Sequence, residues 1–235
     1  MVKRHIVFIM SILLNALLIG ILAFFVLTRT NILDKITGND PSDFESDMYV
    51  ETVSKFENIT LTEADIVFMG DSIVGRGLWN EYFNDFVVAN RGVGTDTTFG
   101  MVNRVDQVIN LNPDKVFILG GINDLTNGYD LDVVTDNYDS ILSSLNGELP
   151  NAEIYVQSIL PIQESKRDVK NTLIESFNQE LYDLSERYET YYIDLYSEFI
   201  NDAGQLKEDF TIDGTHLTGL GYAKWIDLID DYVYE

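Results

Sequence analysis

The sequence predicts an α/β fold, a three-layer α/β/α sandwich around a five-stranded parallel sheet, on two observations. From about residue 64, short apolar runs alternate with segments of helical periodicity, which is the pattern of parallel strands joined by crossover helices. The chain has 235 residues, of which 46% are apolar, so one domain with a sizeable core can form. The five predicted strands are residues 66–69, 86–89, 116–119, 154–159 and 191–195.

Four segments with apolar residues on one helical face are interleaved with these strands or follow them. Right-handed crossovers place such helices on both faces of the sheet, so the predicted architecture is flavodoxin-like. The four faces fall within residues 101–109, 134–145, 173–188 and 222–233.

Polar clusters follow three of the predicted strands, and a fourth cluster precedes the last helix. In an open α/β sheet, ligands bind beyond the carboxyl ends of the strands, so we expect these clusters to converge on one edge. The clusters are residues 70–72, 90–96, 120–124 and 213–216.

Composition excludes several classes of function. The chain has 15 basic and 39 acidic residues, a formal net charge of -24, which disfavours nucleic acid as a partner. It has no cysteine, and its only histidines are His5 and His216, so cysteine-based metal sites are excluded. We expect no cofactor and no metal, and imidazole chemistry in the domain must use His216.

The N-terminus predicts a membrane anchor. Residues 6–27 are apolar and uncharged, long enough to cross a hydrocarbon core of about 30 Å. Lys3 and Arg4 precede this stretch and favour a cytoplasmic N-terminus, with the domain outside a bacterial cell. A cleaved signal peptide is the alternative. The predicted organisation is a stub and single-pass transmembrane anchor (1–28), an acidic linker (29–62) with a short helix near residues 48–56, and a catalytic domain (63–235).

Ser72, His216 and Asp213 can form a nucleophile, base and orienting acid. A serine hydroxyl needs a base to remove its proton, and the base needs a third group to fix its tautomer. The Asp-x-x-His spacing suits a turn in which the carboxylate meets one ring nitrogen. The donors available for an oxyanion are the backbone N–H of Ser72, one N–H from the turn at Gly94 and Thr95, and the Asn123 amide.

These motifs resemble the SGNH or GDSL hydrolases. Residues 66–72 resemble the first block, 90–98 with Arg104 the second, 121–124 the third, and 213–216 the fourth. The resemblance implies Ser72, Asp213 and His216 as catalytic residues, and the Ser72 N–H, a second-block glycine N–H and Asn123 as oxyanion donors. One position departs from the family: Thr95 stands where the donor glycine is usual, with Gly94 one place earlier. A positive φ would strain a β-branched residue, so either Gly94 or Thr95 supplies this N–H, and we favour Thr95.

The resulting hypothesis is a serine esterase or deacetylase that hydrolyses acyl esters, especially acetyl esters, through an acyl-serine. The expected substrates are small acyl esters, acetylated cell-surface polysaccharide or lipid. One alternative is a non-catalytic surface module of the same fold that binds glycan or protein. A nucleotide-binding protein is disfavoured, because Arg76 stands where a P-loop requires lysine.

Overall fold

The computed structural model describes Asn15 and residues 46–235. Five parallel strands form one sheet in the order β2-β1-β3-β4-β5, as in flavodoxin-like folds, which confirms the predicted five-stranded parallel sheet. The strands are β1 (Ile66–Gly70), β2 (Val88–Gly92), β3 (Lys115–Leu119), β4 (Glu153–Gln157) and β5 (Tyr191–Ile193).

In three strands a boundary differs from the predicted one by two residues or more. β2 begins two residues later than predicted and continues through Asn90, Arg91 and Gly92, which the sequence pattern placed after the strand. It continues because Gly92 pairs with Gly70 at the end of β1. A Cβ at position 92 would lie 2.1 Å from the Gly75 nitrogen, so only glycine permits this approach. β4 and β5 end earlier than predicted, at Gln157 and Ile193.

The helices connect the strands and cover the sheet. One predicted face, residues 101–109, is split into two short helices, because Arg104 ends the first and turns its guanidinium into the core. The helices are α1 (Asp47–Glu57), α2 (Ser72–Gly75), α3 (Trp79–Tyr82), α4 (Thr98–Asn103), α5 (Asp106–Ile109), α6 (Ile122–Thr126), α7 (Leu131–Glu148), α8 (Asn171–Tyr188), α9 (Tyr196–Phe199) and α10 (Gly219–Tyr234), with a 3-10 turn at Glu208–Phe210.

A row of aromatic rings runs across the sheet. The strand register pairs Phe68 with Phe117 and Phe117 with Tyr155, and these rings stack at centroid distances of 4.9 and 4.5 Å. Trp79 of α3 stacks on Phe68 and meets Trp225 of α10 edge-on, so α3 and α10 pack over this row. Helix α7 packs against α4 and against α8.

Helix α1 lies inside the range predicted as linker, at the position of the predicted short helix. It packs on the domain: Tyr49 is buried and donates its hydroxyl to the Gly100 carbonyl oxygen at 3.2 Å. The Arg91 guanidinium lies 4.7 Å from the centroid of the Phe56 ring. Few apolar contacts therefore join helix α1 to the rest of the domain. Because the sequence of this helix is largely polar, it gives little indication that the helix packs there.

The predicted membrane anchor lies outside the described residues, apart from Asn15. Among residues 46–235, no helix is both long enough and apolar enough to cross a membrane. By internal contacts the chain divides into two units, Met1–Asp43 and Phe44–Glu235, and every strand named above belongs to the second.

Candidate active site

Ser72 occupies the sharp turn between β1 and α2. β1 ends at Gly70, where a Cβ would lie 1.9 Å from the Leu119 carbonyl oxygen, so the strand end fits only glycine. Asp71 caps α2 by accepting the Ile73 N–H at 2.8 Å. Ser72 is therefore the first residue of a helix, at the carboxyl edge of the sheet.

The structure brings together the three residues predicted as catalytic. Ser72 Oγ lies 2.9 Å from His216 Nε2, although 144 positions separate them in the chain. His216 Nδ1 lies 2.7 Å from Asp213 Oδ2. A proton on Nδ1, donated to this carboxylate, leaves Nε2 free to accept the serine proton.

A tight turn holds Asp213 and His216 in this arrangement. Asp213 Oδ1 accepts the backbone N–H groups of Thr215 at 3.0 Å and His216 at 2.8 Å, and Gly214 has a φ of 90° that glycine adopts readily. Partial burial opposes ionisation of Asp213. The hydrogen bonds from the His216 ring and from these two N–H groups outweigh it and lower the pKa of Asp213 to about 2. Asp213 is thus an anion at neutral pH, facing the imidazole.

Gly94 and Thr95 lie in the turn after β2, and it is Thr95 that takes the left-handed conformation, with a φ of 62°. The Thr95 hydroxyl is hydrogen-bonded to Ser46 Oγ, the residue that caps α1, at 2.7 Å. Within residues 46–235, the backbone N–H groups of Ser72, Gly94 and Thr95 have no hydrogen-bond acceptor. These groups can therefore donate to a ligand.

Asn123 lies in the first turn of α6, after Gly121 with its φ of 121°. Its side-chain amide donates to the Asp96 carbonyl oxygen at 2.7 Å, which uses one of its two N–H bonds. Asn123, Ser72, Gly94, Thr95 and His216 line the same cavity of about 270 Å³. The four predicted oxyanion residues therefore converge on the triad.

Four further residues line this cavity, and the motifs did not assign them to it: Met48, Arg76, Thr126 and Arg167. Met48 belongs to α1, and its sulfur would lie 2.0 Å from a Cβ at position 94, so Gly94 serves close packing here. Arg167 lies in the segment after β4. Since β4 is also a parallel strand, the segment that follows it reaches the same edge, and that rule could have identified Arg167 from the sequence.

Three buried carboxylates lie beneath the cavity: Asp71, Asp96 and Asp124. Arg104 forms an ion pair with Asp96 at 2.7 Å, and Asp124 accepts both the N–H and the hydroxyl of Thr98. Burial raises the pKa of Asp71 and of Asp124 to about 7 and that of Asp96 to about 6. Through these bonds, Asp96 and Asp124 brace the loops that carry them.

Among the residues that the structure describes, no group of three or more His, Asp or Glu side chains is arranged to hold a metal ion. The polar groups at the cavity are a hydroxyl, an imidazole and backbone N–H groups, with the Asp213 carboxylate behind the imidazole, a set that nucleophilic catalysis can use.

Comparisons with known proteins show the family of this chain. Residues 68–224 match the GDSL-like lipase/acylhydrolase family. The chain is similar to the platelet-activating factor acetylhydrolase IB subunit alpha2 of Rattus norvegicus, at 29% identity over 171 residues, 69% of this chain and 72% of that protein.

Solved structures have the same fold. A Streptococcus pneumonia protein, provisionally described as a platelet activating factor, superposes with a TM-score of 0.73 at 27% identity, over 86% of this chain and 99% of that one. The acetyl xylan esterase AlAXEase shares the fold with a TM-score of 0.63 at 21% identity, over 72% of this chain and 98% of that one. Because the family match spans most of the folded region, the chain belongs to the GDSL-like lipase/acylhydrolase family and is a hydrolase of ester bonds.

Proposed function

We propose that this protein is a serine esterase that hydrolyses short-chain acyl esters, acetyl esters foremost, through an acyl-Ser72 intermediate and without a cofactor. The observation that carries the proposal is the hydrogen-bonded chain from Ser72 Oγ through His216 to Asp213, with distances of 2.9 and 2.7 Å. Such a chain activates a hydroxyl that is otherwise a weak nucleophile.

In the acylation step, Ser72 Oγ attacks the ester carbonyl carbon while His216 Nε2 takes the hydroxyl proton. The tetrahedral intermediate collapses, the carbon–oxygen bond to the alcohol breaks, and His216 returns the proton to the leaving alkoxide. In the deacylation step, His216 takes a proton from water as the water oxygen attacks the acyl carbon. The bond from this carbon to Ser72 Oγ then breaks, His216 returns the proton to Ser72 Oγ, and the acid is released. Asp213 remains ionised throughout and stabilises the imidazolium.

The oxyanion of each tetrahedral intermediate would accept hydrogen bonds from the Ser72 N–H, the Thr95 N–H and the Asn123 amide. These donors line the cavity beside the nucleophile, and the folded structure sets their positions before the substrate arrives. We assign the second donor to Thr95 because it stands at the position of the family's donor glycine and adopts a positive φ, which glycine takes without strain.

Acyl-chain length is inferred from cavity size and from the similar proteins. A volume of about 270 Å³ is at the small end for ligand sites and must also hold part of the alcohol. Two of the similar proteins are named for acetyl esters, an acetylhydrolase and an acetyl xylan esterase. Both facts favour a short acyl group.

We also propose that residues 6–27 anchor the chain in the bacterial cell membrane with the catalytic domain outside, where acetylated polysaccharide or lipid would be the substrate. The support is the uncharged apolar run of residues 6–27, with Lys3 and Arg4 before it. Because the chain has no cysteine, a single cysteine introduced at the C-terminus reports the topology. A membrane-impermeant maleimide should label it in intact cells, and labelling only after lysis would contradict this orientation.

The test of the proposed chemistry is Ser72→Ala. We expect this variant to lose turnover of p-nitrophenyl acetate and labelling by a fluorophosphonate while its thermal unfolding midpoint is retained, because only the nucleophile is removed. Ser140→Ala, which removes an exposed hydroxyl from α7, is the matched control and should keep both activities. Undiminished turnover in Ser72→Ala would refute the assignment, and the absence of labelling in the wild type would favour a non-catalytic module.

A further inference from the structure

We propose that the esters bound at this site carry a negative charge of their own, a carboxylate or a phosphate, and that Arg76 and Arg167 bind it. This inference rests on the proposed ester hydrolysis at Ser72 and adds a class of substrate to it. Both arginines line the cavity that contains Ser72 and His216.

Arg76 reaches the cavity from the helix that carries the nucleophile. Its backbone N–H donates to the Ser72 carbonyl oxygen at 3.1 Å, so one helical turn separates the two residues. The side chain is exposed, and no carboxylate elsewhere in residues 46–235 lies within ion-pair distance of it. A guanidinium left without a carboxylate partner in so acidic a chain is available to an anionic ligand.

Arg167 is held at the rim of the cavity by the turn that carries the triad. Its Nε donates to Thr215 Oγ1 at 2.7 Å, and its Nη2 lies 3.5 Å from Asp213 Oδ2. Asp213 already accepts closer hydrogen bonds from the His216 ring and from two backbone N–H groups. Since a guanidinium has five N–H bonds, Arg167 keeps donors for a further anion.

The charge of the cavity is opposite to that of the chain. The sequence carries 39 acidic and 15 basic residues, yet the described residues that line this cavity include two arginines and no aspartate or glutamate. If the acidic residues were distributed at random over the surface, some of them would be expected to line the cavity. The lining itself is therefore cationic, although Asp213 contacts Arg167 from outside it. Two cations beside the nucleophile favour an ester with an anionic group within reach of the reacting carbonyl.

The experiment compares matched pairs of acetyl esters that differ in charge, using the full chain in detergent. One pair is 4-acetoxybenzoate and the neutral 4-acetoxybenzamide, and the other is 1-acetylglycerol 3-phosphate and the neutral 1-acetylglycerol. The quantity measured is the ratio of kcat/KM for the anionic ester to kcat/KM for its neutral partner. The two pairs distinguish a carboxylate from a phosphate.

We expect Arg76→Gln and Arg167→Gln each to lower this ratio by about tenfold in at least one pair, the effect of a lost charge-assisted hydrogen bond. Arg76→Lys should restore part of it. Arg187→Gln is the matched control, because Arg187 pairs with Asp139 outside the cavity and its loss should leave the ratio unchanged. A purely structural role of Arg167 in holding Asp213 would lower both rates together and leave the ratio unaltered.

The two proposals fail in different ways. Hydrolysis of both members of each pair, with a ratio that neither arginine variant changes, would overturn the charge inference and leave the esterase intact. If the wild type hydrolyses none of the four esters and Ser72 takes no fluorophosphonate, the esterase itself is overturned.

Discussion

At the scale of single residues, the motifs identify several groups of the site. They do not predict the backbone conformation of every one of these groups. Ser72, Asp213 and His216 were predicted from the sequence, and their side chains lie within hydrogen-bond distance of one another. Their catalytic roles remain predictions. Thr95 shows the limit of the motif, because a residue type that disfavours positive φ adopts it here.

Asn123→Ala tests the side-chain oxyanion donor. We expect kcat for p-nitrophenyl acetate to fall by about 100- to 1000-fold with KM nearly unchanged, because the lost hydrogen bond forms in the transition state. Steady-state kinetics measure this effect. The amide also holds the Asp96 carbonyl, so the unfolding midpoint must be measured beside kcat. A rise in KM with kcat intact would instead assign Asn123 to substrate binding.

Substitutions at Thr95 test the strain in the second-donor turn. Thr95→Gly should be more stable than Thr95→Ala by about 1 kcal/mol, because only glycine adopts this φ without strain. The larger conformational entropy of glycine in the unfolded chain offsets part of this stabilisation. Both variants lose the hydrogen bond to Ser46, so their difference isolates the backbone. The free energy of unfolding in urea measures it. At exposed Thr62, where φ is not positive, the order should reverse, and the same order at both positions would argue against strain at Thr95.

At the scale of elements, the site is built from the ends of strands and the first turns of the helices that follow them. β1 presents Ser72, β2 leads into Thr95 and β3 into Asn123, whereas the turn before α10 supplies Asp213 and His216. Helix α1 adds a wall through Met48 and a contact to Thr95 through Ser46. The site thus depends on an element that lies before the first strand.

Tyr49→Ala tests whether α1 is part of the cooperative fold. Removing a buried aromatic side chain should lower the free energy of unfolding by about 3 kcal/mol. Val50→Ala, at the next position on the same helix but 50% exposed, should change it by less than about 0.5 kcal/mol. Urea unfolding of both full-length variants provides the comparison. Equal, small effects would mean that α1 unfolds independently, as a linker would.

At the scale of the whole molecule, the acidic composition places carboxyl groups both on the surface and in the core. Most carboxylates are solvated, but Asp71, Asp96 and Asp124 are fully buried, and among these three Arg104 forms its ion pair with Asp96. Within the described residues, the second oxygen of Asp71 has no hydrogen-bond partner. The fold therefore keeps carboxyl groups where ionisation is unfavourable.

This burial predicts a pH dependence of stability. Because burial raises the pKa of Asp71 from 3.8 to about 7, the native state binds its proton more tightly than the unfolded state. The contribution of this group to stability is therefore full below pH 4 and is lost as pH rises to about 7. Asp71→Asn cannot ionise, so its free energy of unfolding relative to wild type should increase between pH 5 and pH 8. Urea unfolding at both pH values measures this, and parallel curves would contradict it.

The sequence alone predicted the fold class, the five parallel strands and the polar residues of the four motifs, because periodicity and the polar residues after strands are local properties of the chain. The splitting of residues 101–109 followed from a tertiary demand, the burial of the Arg104 side chain against Asp96 and the carbonyls of Gly70 and Arg91.

Only the tertiary structure decided which neighbours complete the site. The bond between Ser46 and Thr95 joins positions 49 apart, and Arg167 meets Thr215 across 48 positions. Such contacts depend on where the loops run after the sheet has formed, and no local pattern encodes them. The nucleophile and its base were identified from motifs, whereas the wall at Met48, the conformation of Thr95 and the placement of Arg76 were decided only when the chain folded.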